Sequence, residues 1–446
     1  MSPVYKGSNK KLSDPASYRP VSLTCIACRL FERLIKEQIM DHLASHDLIS
    51  SHQHGFRTNR STESQLLECV NDWTLSLDAK ESIDVLYLDT AKAFDTVSHR
   101  KLLFKLTQYG IHGSILNWIR AFLSSRSQAV RVNGSLSSYT DVSSGVPQGS
   151  VLGPVLFLVY INDLVDICKY SSLKLFADDS KLYFKCTRDV DFQKLSDDAE
   201  AVFRWMEINQ LKVALEKCSV LHLGGSNMQR PLVIENSLVP SVDTIRDIGV
   251  FMSHDLKFSV HSSYVAHKAF TISNLFFRVF RCRDRGFLNQ FYKTYIRPLV
   301  ESATSVWNPY LIKDIDLVEK VQRKFTKRFP GLFKLSYKER RDVLDLDTLE
   351  LRRLHRDLTQ CYNIIHGNVD LNYNDFFELN NNHLRGHSQK LVVRRARLNC
   401  RKYSFSNRVV PTWNSLPQEV IDSSSVHVFK NKLRSVNFDQ FLRYSD

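Results

Sequence analysis

Apolar positions along the chain recur with two different periods, and the switches between them outline the elements. After the motif YRPVSL, residues Leu23, Ile26, Leu30, Phe31, Leu34, Ile35, Ile39 and Leu43 recur every three to four positions, so residues 18–48 read as mostly helical. A polar, His-rich stretch, SHQHGFRTNRST, breaks that pattern. Thr62 and Gln65 have the spacing of a capping box, and Leu66, Leu67, Val70, Trp73 and Leu77 mark one face of the helix that follows. Residues 83–89, IDVLYLD, are apolar on both faces and rich in β-branched and aromatic side chains, as in a buried central strand. That strand ends in a carboxylate, Asp89.

Further along, Leu102, Leu103 and Leu106 continue as a helix that Gly110 stops, and residues 115–123 form another. Residues 129–145 alternate around Asn133-Gly134, a hairpin signal. The loop SSGVPQGSVLGP leads into an apolar helix. Residues 173–177 and 181–184 are short strands separated by Asp178, Asp179 and Ser180, a hairpin with acids at its tip. A helix through Val202, Phe203, Met206 and Ile208 precedes a strand at 219–223 closed by Gly224-Gly225. Near residue 250 the texture changes, and from Tyr264 onward it is long, basic and helical; NNNHLRGHSQK at 380–390 reads as a loop or linker. The expected domains are residues 1–251, 252–379 and 380–446, and no repeat of solenoid period interrupts them.

With 43% hydrophobic and 11% aromatic residues in 446, the composition is globular and excludes a disordered or fibrous protein. The longest apolar run, residues 151–161, is broken by Gly153 and Pro154 and falls short of the roughly 20 residues a membrane span needs. Residues 1–11 are polar and basic, unlike a secretory signal, so an intracellular chain with no membrane partner is expected. Nine scattered cysteines fit reduced thiols, and Cys25 and Cys28 read as a core pair on a helix face. The net charge of +14 is uneven: residues 1–250 hold 28 Lys and Arg against 28 Asp and Glu, whereas residues 251–446 hold 33 against 19. A neutral front half joined to a basic back half implies a polyanionic partner.

The acids carry the chemistry. Adjacent carboxylates repel, and ionised groups in a protected cleft are costly unless something neutralises them. Mg²⁺ takes hard oxygen ligands, and two such ions about 4 Å apart activate an attacking oxygen and stabilise a leaving one. Asp89, Asp178 and Asp179 suffice for that arrangement if residue 89 meets residues 178 and 179 in the fold. Taken alone, the carboxylates also fit an RNA polymerase or a two-metal nuclease.

In order along the chain stand YRPVSL (18–23), QHGFRTNRST (53–62), LDTAKAFDTVSH (88–99), GVPQGSVLGPVLFLVYINDL (145–164), LFADD (175–179), EKC (216–218) and DIGV (247–250). With YIRPLVESATSVWNP and WNSLP further on, these blocks resemble the reverse transcriptases of non-LTR retrotransposons, most closely the jockey-like LINE elements. The resemblance implies an α+β right-hand polymerase: fingers, a palm whose antiparallel sheet carries the acids, and a mostly helical thumb after about residue 252. It implies RNA-directed DNA synthesis with an RNA template, a DNA primer and dNTPs as partners, and a location in nucleus and cytoplasm. Asp89, Asp178 and Asp179 match the polymerase carboxylates that hold two Mg²⁺ ions, with Mn²⁺ as a substitute, and the backbone carbonyl of Thr90 lies close to a metal. Phe94 matches the bulky residue under the sugar that excludes a 2′-hydroxyl, Arg57 the arginine that reaches the triphosphate, Gln148 the loop residue at nucleotide and template, and Lys217 the lysine beside the leaving pyrophosphate. Asp95 is read as a helix cap. The chain departs from the family pattern at Ala214 and Leu215, where Asn and Pro are common. Neither the upstream endonuclease nor a cysteine-rich knuckle lies within these 446 residues. A catalytically inactive, element-derived nucleic-acid-binding protein is the alternative.

In the basic half, RCRDR (281–285), KVQRKFTKRFPG (320–331) and RRARLNCRK (394–402) interleave cations with Phe or Leu. Such segments suit phosphate contacts that hold an RNA–DNA hybrid by shape and backbone rather than by base sequence.

Overall fold

The computed structural model describes residues 1–7, 11–380 and 386–443. Its main sheet has five strands, β1 (Ile83–Leu88), β2 (Ser172–Phe176), β3 (Asp179–Lys185), β4 (Ser219–Leu223) and β5 (Ser241–Val242), in the order β5-β4-β1-β3-β2. All six residues of β1 are buried, as its two-sided apolar pattern requires. Strands β2 and β3 are antiparallel, with Phe176 opposite Asp179. The hairpin tip is therefore Ala177-Asp178, and Asp179 and Ser180 belong to β3 rather than to the tip expected from the sequence. The apolar helix Gly153–Ile161 and the helix Asp189–Ile208 pack into one core with Leu86, Leu88, Leu173, Leu175 and Leu182.

The chain divides into two compact units. The first comprises residues 1–58, 84–220 and 228–241. In it, residues Tyr18–Val21 are not helical but form a strand paired with Ser2–Tyr5, Val4 opposite Arg19. Arg19 precedes Pro20, and the proline ring pushes the residue before it into extended conformation, so the helix begins only at Ile26. Cys25 caps that helix and is exposed, its sulfur accepting the Cys28 N–H at 3.4 Å, so the two do not form a core pair. All nine cysteines are unbridged. Asn133 and Gly134, with φ 49° and 87°, close the hairpin between Arg131–Val132 and Ser135–Leu136, as expected of a left-handed two-residue turn.

The second unit comprises residues 59–83, 221–227 and 242–446 and is mostly helical. The helix Thr62–Asp78 is capped by Ser61 with Ser64, one residue earlier than the Thr62/Gln65 box the sequence suggested. It belongs with the later helices: Arg401 Nη1 donates to Asn71 Oδ1 at 2.9 Å and Arg397 N–H to Asp78 Oδ1 at 2.8 Å. The helix Ser259–Val279 starts five residues before Tyr264. Trp73, Trp307, Trp413, Phe325 and Phe429 are fully buried in this unit, and Arg408 meets the buried Asp357 through two bonds of 2.8 and 2.9 Å. Part of the polar stretch at 380–390, residues 381–385, lies outside the described residues. Among the described residues no helix is long and apolar enough to cross a membrane.

Candidate active site

Asp89 is the residue after β1, and β1 is the neighbour of β3 in the sheet. That adjacency is what joins positions some ninety residues apart. Asp89, Asp178 and Asp179 border one cavity of about 1130 Å³, together with Thr90, Phe94, Gln148 and Lys217.

The acid-bearing turn is braced from a distance. Ala177 sits at φ 56°, a left-handed conformation costing an alanine about 1–2 kcal/mol. Its N–H donates to the buried Gln53 Oε1 at 3.1 Å, and His54 N–H donates to Leu175 O at 2.9 Å. A Cβ on Gly55 would lie 2.5 Å from the Ala177 nitrogen, so only glycine lets the QHGF segment approach this turn. Asp89 is held from the other side: Ala214 N–H donates to Asp89 O at 2.8 Å, and a 3-10 turn at Leu215–Lys217 follows. Ala214 and Leu215 therefore still form a turn that delivers Lys217, whose Nζ lies 3.2 Å from Asp89 Oδ1.

Burial pushes the Asp178 carboxyl above the ordinary carboxylate range. A bond from its own backbone N–H opposes this, the Asp89 charge reinforces it, and Arg19 pulls it back down. A half-buried carboxyl raised by desolvation and by a neighbouring carboxylate favours a divalent cation beside it. Thr90 Oγ1 adds a buried oxygen without a partner. The donor set is hard oxygen throughout, which fits Mg²⁺. Among the described residues no three His, Cys, Asp or Glu side chains close into a metal cluster, so the acids share the cavity without being drawn together as ligands.

Phe94 is half-buried on the cavity wall, its ring stacked on Phe157 at 4.5 Å and 16°. The loop with Gln148 is docked beside it: Val146 N–H donates to Phe94 O and Gly145 N–H to Val97 O, both at 2.8 Å. Gly145 has φ 87°, and a Cβ there would meet the Asp95 carbonyl oxygen at 2.7 Å. Gln148 Nε2 donates to Asp95 Oδ1 at 2.9 Å. Asp95 is thus no helix cap; Lys92 occupies that place, and the Asp95 carboxylate anchors Gln148.

Arg57 does not line the cavity; its Nη1 donates to the Ser50 carbonyl at 2.7 Å, and Phe56 is on the wall instead. The cation facing Asp178 is Arg19, which the sequence reading passed over. The signal available for it was its place before Pro20 in YRPVSL, since an extended residue on a short strand projects its side chain to one side. A second overlooked residue is Glu32. It is fully buried, and its Oε2 accepts the Val151 and Leu152 N–H groups at 2.7 and 3.0 Å, pinning the loop that follows Gln148. A carboxylate in helical register with the buried stripe Ile35, Ile39 and Leu43 was the clue.

The chain is similar to several proteins of known name. It is 28% identical over 328 residues to a probable RNA-directed DNA polymerase from transposon X-element of Drosophila melanogaster, covering 71% of this chain and 36% of that protein. To the RNA-directed DNA polymerase from mobile element jockey of Drosophila funebris it is 26% identical over 334 residues, covering 72% and 36%. It thus spans little more than a third of the length of these relatives. Among solved structures, telomerase from Candida albicans in complex with a fragment of telomeric RNA aligns at 12% identity and TM-score 0.40, covering 72% of this chain and 58% of that one. Mixed helix and sheet with acids on an antiparallel hairpin is the α+β right-hand polymerase class expected from the sequence. The pattern of the family "Reverse transcriptase (RNA-dependent DNA polymerase)" matches residues 6–258, more than half of the 446, and the chain, similar as it is to polymerases of LINE-type elements, belongs to that family.

Proposed function

We propose that this chain is the RNA-directed DNA polymerase of a non-LTR, LINE-type retrotransposon, adding dNTPs to a primer 3′-hydroxyl on an RNA template. The observation that supports it is the shared cavity of Asp89, Asp178 and Asp179, reached from two neighbouring strands and walled by Phe94, Gln148, Lys217 and Arg19. In this reading residues 1–251 supply fingers and palm, 252–379 a basic thumb-like region on the RNA–DNA hybrid, and 380–446 a small C-terminal region.

Asp89, Asp178, Asp179 and the Thr90 carbonyl would hold the divalent ions, Mg²⁺ or Mn²⁺ in its place, whose chemistry there is to stabilise charge on phosphate oxygens and ease loss of the 3′-hydroxyl proton. The O3′–Pα bond forms as the bond from Pα to the bridging oxygen of the β-phosphate breaks, and pyrophosphate leaves. Of the cations on the cavity wall, Lys6, Arg19, Lys92 and Lys217, we assign Arg19 to the triphosphate and Lys217 to the departing pyrophosphate. Arg57 holds its own loop through Ser50 rather than the substrate. Phe94, held by its stack on Phe157, is the residue that in this reading excludes a 2′-hydroxyl. Gln148, oriented by Asp95, presents a polar edge to nucleotide and template.

Primer extension on an RNA template with Mg²⁺ tests the proposal. The parent should extend the primer with dNTPs, whereas Asp178→Asn and Asp179→Asn should not. Equal extension by all three, or binding of primer–template without incorporation by the parent, overturns it.

A further inference from the structure

The helical unit has a cleft of its own, about 700 Å³, lined wholly by residues outside the polymerase cavity. Its wall carries a column of planar groups. Tyr310 and Tyr403 stack at 4.5 Å and 11°, and the Arg443 guanidinium lies 4.7 Å from the Tyr403 ring centre. Arg443 Nη1 also donates to the Tyr310 carbonyl at 2.8 Å, fixing the column at both ends. The acids lining the cleft are engaged: Asp357 receives Arg408 and Asn308, and Glu350 receives the Arg443 backbone N–H. Arg395 and Lys402, both exposed, supply further positive charge to the same wall. Arg443, by hydrogen bond and charge, and Lys402 draw the Tyr403 hydroxyl below its ordinary range.

Planar aromatics and guanidinium groups are the surfaces on which unpaired bases stack, and surrounding cations track the phosphates. A cleft of this size is in the range that encloses a small ligand and is far too small for a duplex. We propose that it binds a single-stranded nucleic-acid segment, one or two nucleotides at a time, with phosphates on Arg395, Lys402 and Arg443 and a base extending the Arg443–Tyr403–Tyr310 column. This site is separate from nucleotide transfer and does not rest on the polymerase reading. An acidic peptide would satisfy the cations but leave the stack unused.

The test uses the whole chain and a short fluorescein-labelled single-stranded RNA, with unlabelled primer–template duplex added to fill the polymerase cavity. Fluorescence anisotropy is measured for the parent and for Arg395→Glu/Lys402→Glu, Tyr403→Leu, Asp178→Asn and the charge control Lys338→Glu, each checked for an unchanged thermal transition. The double charge reversal should weaken binding about tenfold or more and flatten its salt dependence. Tyr403→Leu should weaken it about fivefold or more. Asp178→Asn and Lys338→Glu should leave it unchanged, so that loss of polymerisation and loss of this site are read separately. Photocrosslinking with 4-thiouridine RNA should mark Tyr403 or Phe441, a readout that survives even if Tyr403→Leu fails to fold. Equal loss in Lys338→Glu with none in Tyr403→Leu, or crosslinks elsewhere only, would mean diffuse attraction and overturn the proposal. Competition by free dNTP or by an acidic peptide as effective as that by RNA would equally overturn it.

Discussion

Glu32 offers the sharpest test of how the nucleotide-side loop is held. Its Oε2 accepts two backbone N–H groups, from Val151 and Leu152, and its Oε1 accepts the Cys28 thiol at 3.3 Å, all with no exposure of the side chain. A hydrogen bond to a charged group contributes about 1.5–3 kcal/mol, so Glu32→Ala forfeits about 3–6 kcal/mol and strands two N–H groups at the start of the helix Gly153–Ile161. Partial access of water to the vacated space favours the low end, about 3 kcal/mol. Because a chain of two units need not unfold in one step, local opening is the better readout than a global midpoint. At about 1.4 kcal/mol per factor of ten, amides across residues 148–156 should exchange roughly a hundredfold faster in Glu32→Ala, measured by hydrogen exchange and mass spectrometry. Glu32→Gln, which keeps one acceptor but sets an NH₂ group nearby, should fall between. Exchange in this segment within threefold of the parent would refute the reasoning.

Other consequences are equally specific. Phe94→Ala should raise the efficiency of rNTP relative to dNTP insertion by roughly tenfold to a hundredfold, and an unchanged sugar preference in primer extension counts against the gate. Asp95→Ala and Gln148→Ala should each raise KM for dNTP more than they lower kcat, and the double variant should cost no more than the worse single one; strictly additive losses would show that the 2.9 Å bond between them is not used. His261 is buried against Trp307 and accepts the Phe251 N–H on Nδ1, and burial, aided by Arg246, lowers its pKa from 6.5 to about 4. Its contribution to stability is fully present above pH 6.5 and falls as pH drops towards 4, since the unfolded chain takes up a proton that the folded one refuses; the loss is about 3 kcal/mol. Urea unfolding of His261→Gln should lack that component between pH 6.5 and 4, and identical pH dependence in parent and variant would contradict it.

The elements that could be read from the sequence were those whose local pattern has one physical solution. Strand β1 is apolar on both faces and must be internal, β4 ends where Gly224 begins, and Asn133-Gly134 can only be a left-handed two-residue turn. Where a local preference competed with the helical period, the preference won: Pro20 forces Arg19 extended and delays the helix to Ile26. Asp89, Asp178 and Asp179 were legible as a set because adjacent carboxylates repel unless a cation neutralises them and because they stand in ordered blocks resembling a polymerase family. Their supports were less so. Gln53, Glu32 and Asp95 act through bonds to residues 124, 119 and 53 positions away, and no local pattern encodes such partners. Arg57 shows the limit of a motif position, which identifies a residue type but not the direction of a long side chain: here Nη1 donates to Ser50 O.

The central claim is that Asp89, Asp178 and Asp179 jointly hold divalent ions against an incoming nucleotide. It can be measured without turnover, by electron paramagnetic resonance of Mn²⁺ bound to the chain with a dideoxy-terminated primer on an RNA template and the matching dNTP. The account predicts two bound ions in the parent, fewer in Asp89→Asn and Asp178→Asn, and none that depends on Lys217. Equal Mn²⁺ occupancy in parent and aspartate variants would contradict it.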